Sequence, residues 1–198
     1  MIPRGLRRTA GRMMMLLLLG LTVPAAPAAA ATGPAPAGPA PSEYDLKAVF
    51  LYNFTRYLEW PEQGNGSGAF EIAVLGDSEI LAPLREIAAK KTVRSAPIVV
   101  RQCLETGQIG RPRILFISRS AVPWLRQALE AARGADILII GEEEGLAERG
   151  VAVNFVLRGG AVKFEMNEEA LRGTGIQAGS QLLKLAILVD REKTENGR

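Results

Sequence analysis

Residues 141–189 read GEEEGLAERGVAVNFVLRGGAVKFEMNEEALRGTGIQAGSQLLKLAILV. After Gly150 comes an apolar run, Val151 to Leu157, then the short turn Arg158-Gly159-Gly160, then a second run, Ala161 to Met166. In the second run Val162, Phe164 and Met166 alternate with Ala161, Lys163 and Glu165, the period-2 pattern of a strand with one buried face. Two such runs joined by a short glycine-containing loop predict a β-hairpin. The first strand is apolar on both faces except at Asn154, so it belongs inside a sheet. The second, with Lys163 and Glu165 expected to face out, belongs at or near an edge. Asn167 is a natural helix cap, with Glu168 and Glu169 in the first turn where the helix dipole favours carboxylates. Ser180 to Val189 carries only Gln181 and Lys184 as polar side chains after Ser180 and is expected as a buried helix, a strand being the alternative for so short an apolar run.

Upstream, strand and helix signals alternate. Residues 70–91, FEIAVLGDSEILAPLREIAAKK, predict a strand over Phe70–Leu75, a turn at Gly76, a cap at Asp77 or Ser78, and a helix ending near Lys90 and Lys91. Ala96–Arg101, Arg113–Ser118 (RILFIS) and Asp136–Ile140 (DILII) are further strands, with a helix from Val122 to Arg133 before the last. Such alternation with short connections argues an α/β fold: a single-domain sandwich with a largely parallel central sheet, flanking helices and the C-terminal antiparallel hairpin. YDLKAVFLYNFTRYLEWP (44–61) has apolar or aromatic residues at Leu46, Val49, Phe50, Phe54, Tyr57, Leu58 and Trp60, near helical spacing, and Pro61 stops it. The bland reading of its aromatics is core packing; the sharper one is a pocket or partner surface. Gly64 to Gly68 is a flexible loop.

The chain has 198 residues and a formal charge of +3, but the charge misleads. Arg4, Arg7, Arg8 and Arg12 precede a short apolar run, Met13 to Leu19, and small residues to Ala31, which together make a secretory signal peptide over residues 1–31. Removing those four of the 24 basic residues leaves 20 against 21 acidic ones, a net −1, so nucleic acid is not an expected partner. Residues 32–42, TGPAPAGPAPS, are a Pro/Ala-rich linker expected to be disordered, 43–190 the folded domain, and 191–198 a disordered tail. Cys103 is the only cysteine. No internal disulfide is available to it, and its place after Ile98-Val99-Val100 favours burial.

There is no histidine, which removes Ser-His-Asp and Cys-His catalysis, His-based zinc sites and the commonest general base. Ile72 to Ser78 (IAVLGDS) looks like the nucleophile block of a GDS-type esterase, but such an enzyme needs a histidine base, so a structural βα turn is the better reading. Ser118, at the end of a strand, stands where α/β folds place ligands and where serine also caps turns. Glu142-Glu143-Glu144 lacks the spaced oxygen pattern of a cation loop, and no phosphate-binding glycine motif occurs. Neither catalysis, a metal nor a cofactor is expected. Lys163, Glu165 and Asn167 are expected on one side of the second hairpin strand, either as a wet face or as a recognition surface.

The helix closing FTRYLEWP (54–61), the strand FEIAVLGDS, the strand RILFIS and the block 153–186, with its VNF, its hairpin, its F-E-x-N and its closing SQLLKLA, together resemble the YfiR family over residues 44–189. The resemblance implies an exported, periplasmic, non-catalytic α/β protein. It would bind the periplasmic sensory domain of an inner-membrane diguanylate cyclase and hold the catalytic domain inactive. An outer-membrane lipoprotein would relieve that repression, and the output would be control of cyclic-di-GMP and biofilm. A homodimer is compatible with it. Members with cysteine pairs are associated with redox sensitivity, which the lone Cys103 cannot reproduce through an internal bridge. On this reading Phe54, Tyr57, Trp60, Phe164, Glu165 and Asn167 are the candidate partner-contact or pocket residues, and Glu165→Lys is expected to weaken partner binding with the fold intact. The alternative is a small-molecule-binding periplasmic accessory protein of a sensor or uptake system, with the aromatic helix lining its pocket. A hydrolase using Ser78 or Ser118 ranks last.

Overall fold

The structure, a computed structural model, describes residues 40–61 and 68–189, all within the compact unit Pro39–Arg198. The expected signal peptide, the linker through residue 39, most of the glycine-rich loop and the tail at 191–198 lie outside the described residues. The elements in chain order are α1 (Glu43–Tyr57), β1 (Leu58–Glu59), β2 (Phe70–Leu75), α2 (Leu81–Lys90), β3 (Thr92–Val93), β4 (Ala96–Cys103), β5 (Ile114–Ile117), α3 (Leu125–Ala131), β6 (Leu138–Gly141), β7 (Val153–Arg158), β8 (Ala161–Asn167), α4 (Glu168–Arg172), β9 (Gln177–Ala178), α5 (Ser180–Leu185) and β10 (Ile187–Val189). Short 3-10 turns cover Thr106–Gln108 and Arg119–Trp124.

Eight strands of the described residues form one sheet in the order β10-β8-β7-β6-β5-β2-β4-β3. Pairing is parallel from β4 through β2, β5 and β6 to β7, then antiparallel between β7 and β8. This is the expected α/β sandwich. The central strands explain themselves: Ile114-Leu115-Phe116-Ile117 and Leu138-Ile139-Ile140-Gly141 are buried throughout, as a parallel sheet covered on both faces requires. On one face Ile72, Val74, Ile114, Phe116 and Ile140 pack with Leu51, Phe54 and Leu84 of α1 and α2. On the other, Leu75, Leu115, Ile117 and Ile139 pack with Leu125 and Ala128 of α3.

The hairpin forms as predicted. β7 lies inside the sheet, and β8 has only β10 beyond it. Gly159 (φ +60°) and Gly160 (φ +76°) make the two-residue turn, in the left-handed conformation that tight hairpins need at both central positions. Asn167 caps α4, its side chain accepting from the Ala170 N–H at 2.9 Å.

Several boundaries differ from expectation. α1 begins at a capping box, in which the Ser42 side chain accepts from Asp45 N–H and the Asp45 carboxylate accepts from Ser42 N–H; these bonds hold the exposed Asp45 carboxyl below its ordinary pKa. The helix stops at Tyr57 rather than running to Trp60, because Leu58 and Glu59 take up antiparallel pairing with Ala178 and Gln177, and Pro61 disfavours helix at Trp60. Its buried side chains are Lys47, Ala48, Leu51, Phe54 and Thr55, while Leu46, Val49 and Tyr57 are exposed. α2 starts at Leu81, past the expected cap. The helix expected over Val122–Arg133 is a 3-10 turn through Trp124 followed by α3, since Pro123 supplies no N–H for an α-helical bond. Ser180–Val189 is not one buried helix: α5 has a single buried residue, Leu182, and the chain then enters β10.

Cys103 is buried, as its position favours. The Arg101 guanidinium donates to its sulfur at 2.7 Å and also pairs with Glu71. Burial pushes the thiol pKa up, and the Arg101 charge offsets only part of that. Less thiolate and no access mean slow chemistry. At about pH 8 the folded protein is expected to react with Ellman's reagent at least about tenfold more slowly than the urea-unfolded chain. Equal rates would show that the thiol is not shielded.

Candidate functional site

Glu43 and Lys47 stand one turn apart on α1, so both reach the same end of the sheet. There β6 ends at Gly141 and the chain continues into Glu142-Glu143-Glu144. β7 pairs with β6 only through Val153 and Asn154, so Phe155 to Arg158 run past the end of β6 and form a wall. Arg119 arrives from the turn after β5. These residues line a groove of about 430 Å³ at the C-terminal edge of the parallel strands, where open α/β sheets bind ligands.

The base of the groove is ionic. Lys47 is only 2% exposed, and its Nζ lies 2.6 Å from Glu142 Oε2 and 2.5 Å from Glu43 Oε1. Glu142 Oε1 accepts from the Arg119 N–H at 3.2 Å, so both oxygens of this buried carboxylate are engaged. Burial raises the Tyr44 pKa, with the Glu142 charge adding to it; the Lys47 ammonium sits 4.8 Å from that ring's centre. The rim is wetter. Arg119 reaches Glu43 at 3.5 Å and Glu143 at 3.8 Å, and Arg158 reaches Glu144 at 3.2 Å. Both guanidiniums are about half exposed, so each can exchange its partner for a carboxylate of another molecule at little cost.

Glu165 joins the rim from behind and corrects an expectation. It is buried at 5% exposure, not on an open face, because Asn154 donates to its Oε2 at 3.0 Å and Arg158 to its Oε1 at 3.3 Å. Asn167 is likewise buried, with its Nδ2 donating to the Ala147 carbonyl at 2.8 Å as its Oδ1 caps α4. The loop at 142–147 folds over this side of β8, leaving Lys163 as the exposed member of the expected trio.

The aromatic candidates divide. Phe54 and Phe164 are core, not surface: the rings meet edge-on at 5.1 Å, and Phe54 stacks on Phe155 at 5.9 Å. Trp60 is nearly buried, edge-on to Phe70 at 5.3 Å, and its indole N–H donates to the Arg113 carbonyl. Tyr57 is 40% exposed, at the other end of α1 from the groove. The six residues therefore do not form one surface. Sequence reasoning missed Lys47, Arg119, Glu142 and Arg158. The usable signal was Lys47 beside Ala48 on a helix face that also carries Leu51, with Glu43 four residues before it.

The GDS-like turn is structural. Gly76 adopts φ +86°, and a Cβ there would press on the Ser118 and Ser120 hydroxyls and on Ala121 Cβ at 2.9 Å. Ser118 donates to the Leu75 carbonyl at 2.8 Å, Ser120 accepts from the Asp77 N–H at 2.8 Å, and Ser78 accepts from the Ile80 N–H. None of these hydroxyls is presented to a base. Among the described residues no helix is long and apolar enough to cross a membrane, and no group of His, Cys, Asp or Glu is placed to hold a metal ion.

A family model described as YfiR/HmsC-like matches residues 44–187. No curated protein matches the chain. Among solved structures it is similar to the crystal structure of a conserved domain protein from Vibrio cholerae O1 biovar El Tor, at 13% identity and a TM-score of 0.50. That match covers 74% of this chain and 60% of the other, and it bears on the fold alone.

Proposed function

The chain belongs to the YfiR/HmsC-like family, and on that premise we propose that it is a non-catalytic periplasmic regulator. It binds the periplasmic sensory domain of an inner-membrane diguanylate cyclase and represses it, so controlling cyclic-di-GMP and biofilm; an outer-membrane lipoprotein relieves the repression. In this proposal residues 1–31 are removed on export and 43–190 fold as the working domain. The observation that carries the reading is the groove. Its buried Lys47–Glu142 pair is committed internally, while Arg119, Arg158, Glu143 and Glu144 offer exchangeable charges of both signs at its mouth. Charges so arranged set orientation and encounter rate for a protein partner. Repression further requires that docking favour the partner's inactive conformation, since equal affinity for both states shifts nothing. Of the six residues first singled out, Tyr57 keeps an exposed contact role and Glu165 acts by orienting Arg158.

The test is a pull-down from the organism's own membrane fraction with residues 32–198 as bait, read by mass spectrometry. A diguanylate cyclase with a periplasmic domain is expected. Recovery of uptake components alone would overturn the repressor reading. Arg119→Ala is expected to weaken that capture about tenfold, the loss of one interfacial charge contact. Its urea midpoint should not move, since exposed ion pairs contribute little.

The groove volume also suits a small molecule, which favours the second reading, a ligand-binding accessory protein. A ligand-dependent rise in melting temperature abolished by Arg119→Ala would move that reading to the front.

A further inference from the structure

Residues 180–189 are held unlike the rest of the sheet. α5 is six residues long and has no side-chain cap, because its N-cap is Gly179; a helix so short does not sustain itself. Its one buried side chain is Leu182, and Leu185 is 70% exposed. β10 pairs with β8 over three residues, Ile187 opposite Glu165, Leu188 opposite Met166 and Val189 opposite Asn167. Ile187 and Leu188 are themselves exposed. Just upstream the chain is pinned: Ile176 is buried, β9 pairs with β1, and the Gly179 N–H donates to the Tyr57 carbonyl at 2.9 Å.

We propose that α5 and β10 form a strap that opens locally about Gly179, uncovering the outer edge of β8 while the rest of the domain stays folded. The inference stands independently of the regulatory reading. β8 survives the opening because six of its residues, Ala161 to Met166, remain paired with β7. An element with one fully buried residue, Leu183 and Ala186 packing only half-buried against the core, belongs to the low end of local stability, unlike β5 and β6, which are buried throughout. An opened strap leaves the β10-side backbone groups of β8 unpaired.

The backbone supplies its own reporters. Asn167 donates its N–H to the Ala152 carbonyl, on the β7 side, so by alternation Met166 directs its N–H and C=O to the β10 side. Hydrogen exchange by NMR on the intact chain is expected to show the Met166 amide exchanging at least about a hundredfold faster than the amides of Asn167, Leu115 and Ile139. Exchange of Met166 at the same rate as those three would overturn the strap. Leu182→Ala is expected to speed Met166 exchange about tenfold or more, leaving Leu115 and Ile139 unchanged. A uniform acceleration across the sheet would show that Leu182 belongs to the global core and no separate strap exists. If that variant does not fold, the wild-type comparison decides.

Discussion

Glu165→Lys is expected to destabilise the fold by about 3–5 kcal/mol, the range for an uncompensated charge at a buried position. The wild-type carboxylate is buried, accepting from Asn154 Nδ2 and from the Arg158 guanidinium. Lysine there sets an ammonium beside Arg158 and turns the Asn154 amide toward a donor, so a like-charge contact and an unmet hydrogen bond arise together. Equilibrium urea unfolding measures the loss. Glu165→Gln, which keeps an acceptor oxygen for one donor and sets its NH2 against the other without adding a charge, is expected to lose only about 1–2 kcal/mol. A Glu165→Lys protein within about 1 kcal/mol of wild type would mean the carboxylate is not held as described. Lost partner binding in this variant would therefore report on folding as much as on contact, which makes it a poor probe of an interface.

Lys47→Met is expected to cost a similar amount, about 3–5 kcal/mol, because it strands the Glu142 carboxylate inside the protein. Both side chains are essentially inaccessible, and the pair is closed at 2.6 Å. The double variant Lys47→Met, Glu142→Leu removes both charges and fills the space with apolar atoms, which is often neutral or better. It should recover much of the loss, with a coupling of at least about 2 kcal/mol in the double-mutant cycle. Additive losses would show that the two side chains do not act as a pair. The Glu43 carboxylate also touches Lys47 but is 30% exposed, so Glu43→Gln is expected to cost only about 1 kcal/mol or less.

Much of the architecture was legible because local chemistry was unambiguous. The hairpin came from period-2 alternation and Gly159-Gly160, the parallel strands from continuous apolar runs, and α4 from Asn167 and its following glutamates. The boundaries that failed depended on partners far along the chain. Leu58 and Glu59 leave α1 only because Gln177 and Ala178 are there to pair with them. The apolar run Ser180 to Val189 divides because β8 offers an edge to Ile187–Val189. In the candidate site the failures were of side-chain environment. Lys163 and Glu165 look alike in an alternating strand, yet the loop at 142–147 covers one and leaves the other wet. Lys47 reads as a solvated helix lysine until α1 is laid against the end of β6.

The sequence by itself determined the α/β class, the hairpin and the exclusion of histidine chemistry, since each follows from residue type and spacing within a short window. Only the tertiary structure decided that Glu165 and Asn167 are buried, that Phe54 and Phe164 are core, and that Lys47, Glu142, Arg119 and Arg158 converge on one groove. Those outcomes rest on contacts between residues far apart in the chain, such as Lys47 with Glu142 and Phe54 with Phe164, and the environment of a charge is set by what the fold brings to it, which no local pattern encodes.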